Sequence, residues 1–215
     1  MVVRRRGLTR RGGPEVPPPS HRAGLLLYSG KDLASHWVRL IIAEKAVDNA
    51  RIDWLEHGAA HQDLAVLNPD QSLPTLADRE VVLYPAALIA DYLDQRYPYP
   101  PLQPSEPAAR AKLKMVQHQL TSKLFGMAEA APASAAARKE LQQALLALSP
   151  LFPARGWFLG ADYNLTDCAW AVLAWRLEPL GLPLEQFGAL PRYAQRLFAR
   201  PAFKRSIAAQ PAQAA

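Results

Sequence analysis

NPDQSLPTLADREVVLYPAALIADYL, residues 68–93, holds in order a turn, a proline behind an apolar residue (Leu73-Pro74), two short apolar runs and a helical run. Thr75–Ala77 and Val81–Tyr84 have strand length and flank Asp78-Arg79, which predicts an antiparallel hairpin. Pro85 suits the first turn of the helix that follows, where its missing N–H is not needed. From Ala86 to Tyr97, Leu88, Ile89, Tyr92 and Leu93 recur at helical spacing and form one apolar face.

Upstream, GLLLYSG (24–30) is a short apolar run closed by glycine, the pattern of a buried strand. Ser35 reads as the N-cap of a helix carrying Trp37, Leu40, Ile41 and Ala43. Arg51–Glu56 alternates as a second strand, and His61–Leu67 as a short irregular helix. Downstream, YPYPPLQPSEP (97–107) contains five prolines, which cannot donate to a helix ladder and hold the preceding residue extended. It is a stiff connector. Beyond it strand signals vanish: Ala108–Glu129, Ser134–Leu148, Leu165–Leu180 and Arg192–Ala209, the last broken near Pro201, read as helices, and AEAAPASAAARKE (128–140) as a helix connection. The expected plan is a disordered Arg/Pro-rich tail over 1–23, a small α/β domain over 24–97, a linker over 98–107, an all-helical domain over 108–209 and a short disordered tail over 210–215. One helix start is explicit. In YNLTDCAWAVLAWRL (163–177), Asn164 is a good N-cap and Asp167, three residues on, can accept from its amide; losing the cap costs about 1 kcal/mol. Cys168, Val172 and Trp175 then form a core-facing stripe.

Half of the 215 residues are hydrophobic, enough for one large or two modest cores. No apolar run is long enough to span a bilayer, and no apolar segment follows the N-terminal arginines, so neither a membrane anchor nor a secretory signal is expected and the cytoplasm is the expected compartment. Cys168, the single cysteine, excludes an internal disulfide and a cysteine metal cage, and is expected to be buried and inert. Residues 1–22 hold six of the 25 basic residues and one of the 19 acidic ones, so they carry +5 of the formal +6. The rest, with 19 basic and 18 acidic residues, is nearly neutral. Nucleic-acid contact is therefore not expected, apart from the basic tail.

Other chemistry is thin. His57 and His61 read as solvent-facing loop residues, His36 and His118 lie on helices without paired ligands, and His21 is in the tail. No metal site is expected, and no phosphate loop, Ser-His-Asp signature or internal repeat is present. Trp157, Trp170 and Trp175 read as core.

The strand-helix-strand, helix-strand-strand-helix order, followed by helices alone, resembles the glutathione-transferase-like superfamily: a thioredoxin-like α/β domain plus an all-α domain. Within it, LYSGKDLASHWVRLIIAEKAV (27–47), LNPDQSLPTLADREVVLY (67–84), DYLDQRYPYPPLQP (91–104) and NLTDCAWAVLAWRLEPLGL (164–182) are similar to the stringent starvation protein A family. The resemblance implies a cis Leu73-Pro74 bond, and a homodimer without transferase activity that binds RNA polymerase holoenzyme during starvation or stress. It also implies that Asn164 and Asp167, like Pro74, are structural. A Pro-His-Pro surface motif of that family falls on Pro98, Tyr99 and Pro100, the expected partner surface. Tyrosine keeps the flat ring and polar tip but cannot take up charge near neutral pH.

Transferases of this superfamily hold glutathione with an acidic-serine pair that opens the helix after the hairpin; here Pro85 and Ala86 stand in those places. Omega-like relatives place a nucleophilic cysteine before the first helix, where this chain reads Lys31-Asp32-Leu33. Tyr28, Ser29 and Ser35 remain as hydroxyls near that point. No residue is assigned a catalytic role and no cofactor is expected. A residual glutathione-like site would comprise Leu73, Pro74, Pro85, Ala86 and Ser35. The alternative is a glutathione-dependent transferase with an atypical active site, since folds do not determine function.

Overall fold

A computed structural model describes residues 24–56, 58–79 and 81–208; the two expected tails and His57 fall outside it. Four strands, β1 (Leu25–Ser29), β2 (Arg51–Trp54), β3 (Thr75–Asp78) and β4 (Val81–Leu83), form one sheet in the order β2-β1-β3-β4. β1 and β2 run parallel, with Leu27 opposite Ile52. β3 is antiparallel to both β1 (Leu27 opposite Leu76) and β4 (Ala77 opposite Val82). β1 is buried throughout and apolar from Leu25 to Leu27 because both sheet faces are covered: Leu25 and Leu27 enter the main core, while Leu26 and Tyr28 pack with Ala77 and Leu64 under α2 (Gln62–Leu67).

α1 (Leu33–Glu44) and α3 (Ala86–Arg96) pack on the main-core face of the sheet. Asp32, not Ser35, caps α1: its Oδ1 accepts from Ser35 N at 2.7 Å. Ser35 sits inside the first turn, where its hydroxyl accepts from Gly30 N and donates to Asp32 Oδ2. Pro85 precedes α3 at the cap position rather than inside its first turn, and supplies no side-chain cap. Leu88 does not join its expected face: it is 52% exposed while Ile89 and Leu93 are fully buried. His61 is no loop residue either, since its Nδ1 accepts from Leu64 N to cap α2 and its ring meets Tyr28 edge-on.

The remaining helices are α4 (Pro107–Gln119), α5 (Phe125–Ala130), α6 (Ala135–Leu148), α7 (Leu165–Leu177), α8 (Leu190–Ala199) and α9 (Pro201–Ala208). The single helix expected over 108–129 is divided by a π turn at Leu120–Leu124. Thr121 and Ser122 donate their hydroxyls to the carbonyls of Gln117 and His118, competing with the i→i−4 ladder at that turn. Residues 128–140 are largely helix, the end of α5 and the start of α6 capped by Ser134.

α7 is the axle of the molecule, buried on almost every side, so its sequence shows little amphipathicity. Its capping box is complete: Asn164 Oδ1 accepts from Thr166 N and Asp167 N, and Asp167 Oδ2 accepts from Asn164 N at 2.9 Å. Trp175 departs from the expected stripe. It is 44% exposed and packs edge-on against Phe198 and Phe203, whereas Cys168, Trp170 and Val172 are buried. The main cluster runs without a break from Leu25 of the sheet to Phe203 of α9, so the two halves share one core. Polar ties reinforce it: Trp37 Nε1 donates to Leu165 O, and Arg200 grips the buried Glu44 with two bonds of 2.6 and 2.7 Å. No described helix is long and apolar enough to cross a membrane.

Candidate functional site

The end of β1 and the N-terminus of α1 face a cleft of about 480 Å³ lined by Lys31, Asp32, Leu55, Glu56, Glu129 and Arg176. Three carboxylates meet two cations there. Helix N-termini favour anions because their first N–H groups lack intrahelical partners. At α1 two of those groups are already taken: Asp32 holds Ser35 N, and Glu129, 96 residues away on α5, accepts from Leu33 N at 2.6 Å. Arg176 of α7 closes the same corner by donating to Lys31 O at 2.7 Å. Sequence reading missed both Glu129 and Arg176, because nothing local links either to residues 31–33.

The three candidate hydroxyls are not free. Tyr28, Ser29 and Ser35 are all buried. Ser29 Oγ accepts from Arg39 Nη1 at 2.5 Å, Ser35 Oγ is bonded on both sides, and Tyr28 lies on the far sheet face under α2. Burial, then the charges of Asp63 and Asp53, raise the Tyr28 phenol above its ordinary value. Arg39 is itself buried, with its guanidinium over the Trp54 ring at 4.3 Å and Nη1 also donating to Gly30 O. Burial lowers it to about 10 while Asp32 draws it back up, so it stays charged at neutral pH. A Cβ on Gly30 would stand 2.6 Å from Asp32 Oδ2 and 3.2 Å from Leu73 Cδ1, so a larger residue there would displace the capping carboxylate.

The Leu73–Pro74 bond is cis. Yet none of Leu73, Pro74, Pro85, Ala86 and Ser35 lines the cleft. Ala86 is buried and Pro85 carries no polar atom toward the α3 N-terminus, so no side chain caps that helix. The N-terminus of α3 thus offers no carboxylate or hydroxyl to an amino-ended ligand.

Around α7, Asp167 is a structural hub. Its Oδ1 accepts from Phe158 N at 2.8 Å and from the Tyr193 hydroxyl, and its Oδ2 from Asn164 N. Burial raises it to about 6, against the downward pull of those three bonds. Cys168 is wholly buried and its thiol is raised well above the ordinary range by that burial. Among the described residues no cluster of three or more His, Cys, Asp or Glu is arranged to hold a metal ion.

Pro98, Tyr99 and Pro100 follow α3, and Tyr99 is 82% exposed. A mainly apolar groove of about 640 Å³ lies between α4, α5 and α6, flanked by Met115, Leu148, Leu151, Leu159 and Trp170.

Comparison with known proteins places this geometry. The family model described as "Glutathione S-transferase, N-terminal domain" matches residues 34–104, and "Glutathione S-transferase, C-terminal domain" matches residues 104–201. The stringent starvation protein A homolog of Coxiella burnetii is 36% identical over 194 residues, covering 86% of this chain and 92% of that protein. The homolog of Haemophilus ducreyi is 34% identical over 195 residues, covering 86% and 91%. The chain belongs to the stringent starvation protein A family. Its fold is shared with FzlA from C. crescentus, with a TM-score of 0.76 at 21% identity, covering 88% of this chain and 94% of that one. As a stringent starvation protein A family member on a glutathione S-transferase fold, the chain keeps the cis Leu73–Pro74 element while Pro85 and Ala86 open α3.

Proposed function

We propose that the chain is a non-catalytic, transcription-associated protein, a cytoplasmic homodimer that binds RNA polymerase holoenzyme in the starvation or stress response through Pro98, Tyr99 and Pro100. The observation that carries this reading is the state of the α1 N-terminus. Asp32 and Glu129 occupy the amides of Ser35 and Leu33, and Ser29 and Ser35 are buried and engaged. A fixed carboxylate there repels a thiolate, the reverse of what activation of glutathione requires. Family membership supports the stress role, and the exposed Tyr99 ring supports a protein partner. Exposed apolar residues on β4 and α3, Val81 and Leu88, fit a self-association face.

The test is capture of polymerase subunits from cells by the tagged chain at native expression, repeated with Tyr99→Ala. Capture that is lost in the variant is the expected result; an eluate without polymerase refutes the reading. The alternative, a glutathione-dependent transferase with an atypical site, is favoured by the cis Leu73–Pro74 bond and the open cleft. Retention on immobilised glutathione, with elution by the free tripeptide, would establish that alternative.

A further inference from the structure

We infer that Lys45 and Asp94 are positioning residues for the Tyr99 surface: their ion pair fixes the turn from Pro98 to Pro101 so that the ring is presented already ordered to a protein partner. The inference rests on the polymerase reading above and names the device that makes the surface work.

The turn has almost no means of ordering itself. Pro98, Pro100 and Pro101 have no N–H, so between Tyr97 and Leu102 only Tyr99 carries a main-chain donor. Tyr97 N makes the last helical bond of α3, to Leu93 O. What holds the rest is a side-chain clasp. Lys45, the residue that ends α1, has a side chain with 0% exposure, and its Nζ lies 2.6 Å from both Asp94 Oδ1 and Pro100 O. The same Asp94 Oδ1 accepts from Leu102 N at 2.8 Å. One ion pair therefore secures the carbonyl before Pro101 and the amide after it.

Leu102 is buried and its carbonyl accepts from Leu165 N, which ties the far end of the turn to α7. Tyr99, 82% exposed, projects its ring from the turn beside the exposed Pro98, Pro100 and Pro101. An aromatic ring on a preordered turn forfeits little conformational freedom on binding and is the kind of residue on which interface energy concentrates. The partner it fits is a protein face with an apolar slot and a polar group for the phenol at its end.

The experiment measures the affinity of the full chain for purified polymerase holoenzyme, with urea unfolding as a check that each variant is folded. Tyr99→Ala should weaken binding roughly 30-fold, as loss of a central aromatic anchor does. Lys45→Met keeps the buried stem but removes the donors, and should weaken binding about tenfold. The decisive readout is their combination. If Lys45 acts through Tyr99, the double variant binds no more weakly than Tyr99→Ala alone; if Lys45 serves only the fold, the two losses multiply and the inference is overturned. Asp94→Asn, which retains an acceptor for Leu102 N, answers the same question where Lys45→Met does not fold. Wild-type strength in a folded Lys45 or Asp94 variant overturns the inference alone, with the polymerase reading intact. Failure of the wild-type chain to bind overturns both.

Discussion

His36 offers a quantitative test of how the α1–α9 contact is held. Its ring is buried, with Nε2 3.2 Å from Ser206 Oγ and its centroid 6.1 Å from that of Phe203. Burial, then the cations Arg39 and Arg176, lower it from 6.5 to about 3. The folded chain thus keeps the imidazole neutral in mild acid, where the unfolded chain protonates it. Its stabilising contribution is complete above pH 6.5 and is lost as pH falls from 6.5 towards 3. At pH 5, protonation of the unfolded imidazole favours the unfolded chain by about 2 kcal/mol, each pH unit being worth ~1.4 kcal/mol. Asp167 works in the opposite sense. Raised to about 6, it binds its proton more tightly when folded, so it contributes about 1.4 kcal/mol at pH 5 that disappears as pH rises through 6. The wild-type curve alone therefore hides both effects. Comparison with His36→Gln, whose amide can reach Ser206, cancels Asp167. Urea unfolding at pH 7.5 and pH 5 should show the stability difference between variant and wild type shift by about 2 kcal/mol in favour of the variant at pH 5. An unchanged difference at the two pH values would refute the assignment of His36 as a buried neutral imidazole.

Asn164→Ala should cost about 2–3 kcal/mol in urea unfolding, beyond the usual ~1 for a cap, because Asn164 Nδ2 also satisfies Phe158 O in the core. Tyr193→Phe deprives buried Asp167 of a donor; a loss of about 1–2 kcal/mol is expected, with a further rise in the acid's pKa measurable by carbon-detected NMR titration. Arg200→Met strands the buried Glu44 and should destabilise by about 3 kcal/mol, read as a lower urea midpoint. Cys168 should react with an aromatic disulfide reagent only as fast as the chain opens; rapid labelling under native conditions would show that the thiol is not sealed in the core.

Much of the fold was legible because its signals are local. The apolar run of β1, the hairpin around Asp78-Arg79, the five prolines of 97–107 and the Asn164–Asp167 box each depend on residues within a few positions of one another. Errors arose where two local readings were both chemically sound. Ser35 and Asp32 are each good caps; the backbone places Asp32 outside the helix and leaves Ser35 to bridge it to Gly30. Leu88 and Trp175 match an apolar stripe by spacing, yet they lie at its edges, where neither the sheet nor a neighbouring helix covers them fully. The π turn escaped notice because Thr121 and Ser122 are unremarkable inside a helical pattern until their hydroxyls take the carbonyls behind them.

By itself the sequence determined the order of elements, the connector, the cap of α7 and the absence of an acidic-serine pair at the start of α3, since all of these depend on near neighbours and on residue identity. Tertiary structure alone decided that Glu129 and Arg176 close the corner at α1 and that Lys45 and Asp94 clasp the Tyr99 turn. Those contacts join residues 49 to 145 positions apart. A long-range pairing leaves no periodic trace in the chain, because its geometry exists only once a shared core has brought distant backbones to hydrogen-bonding distance.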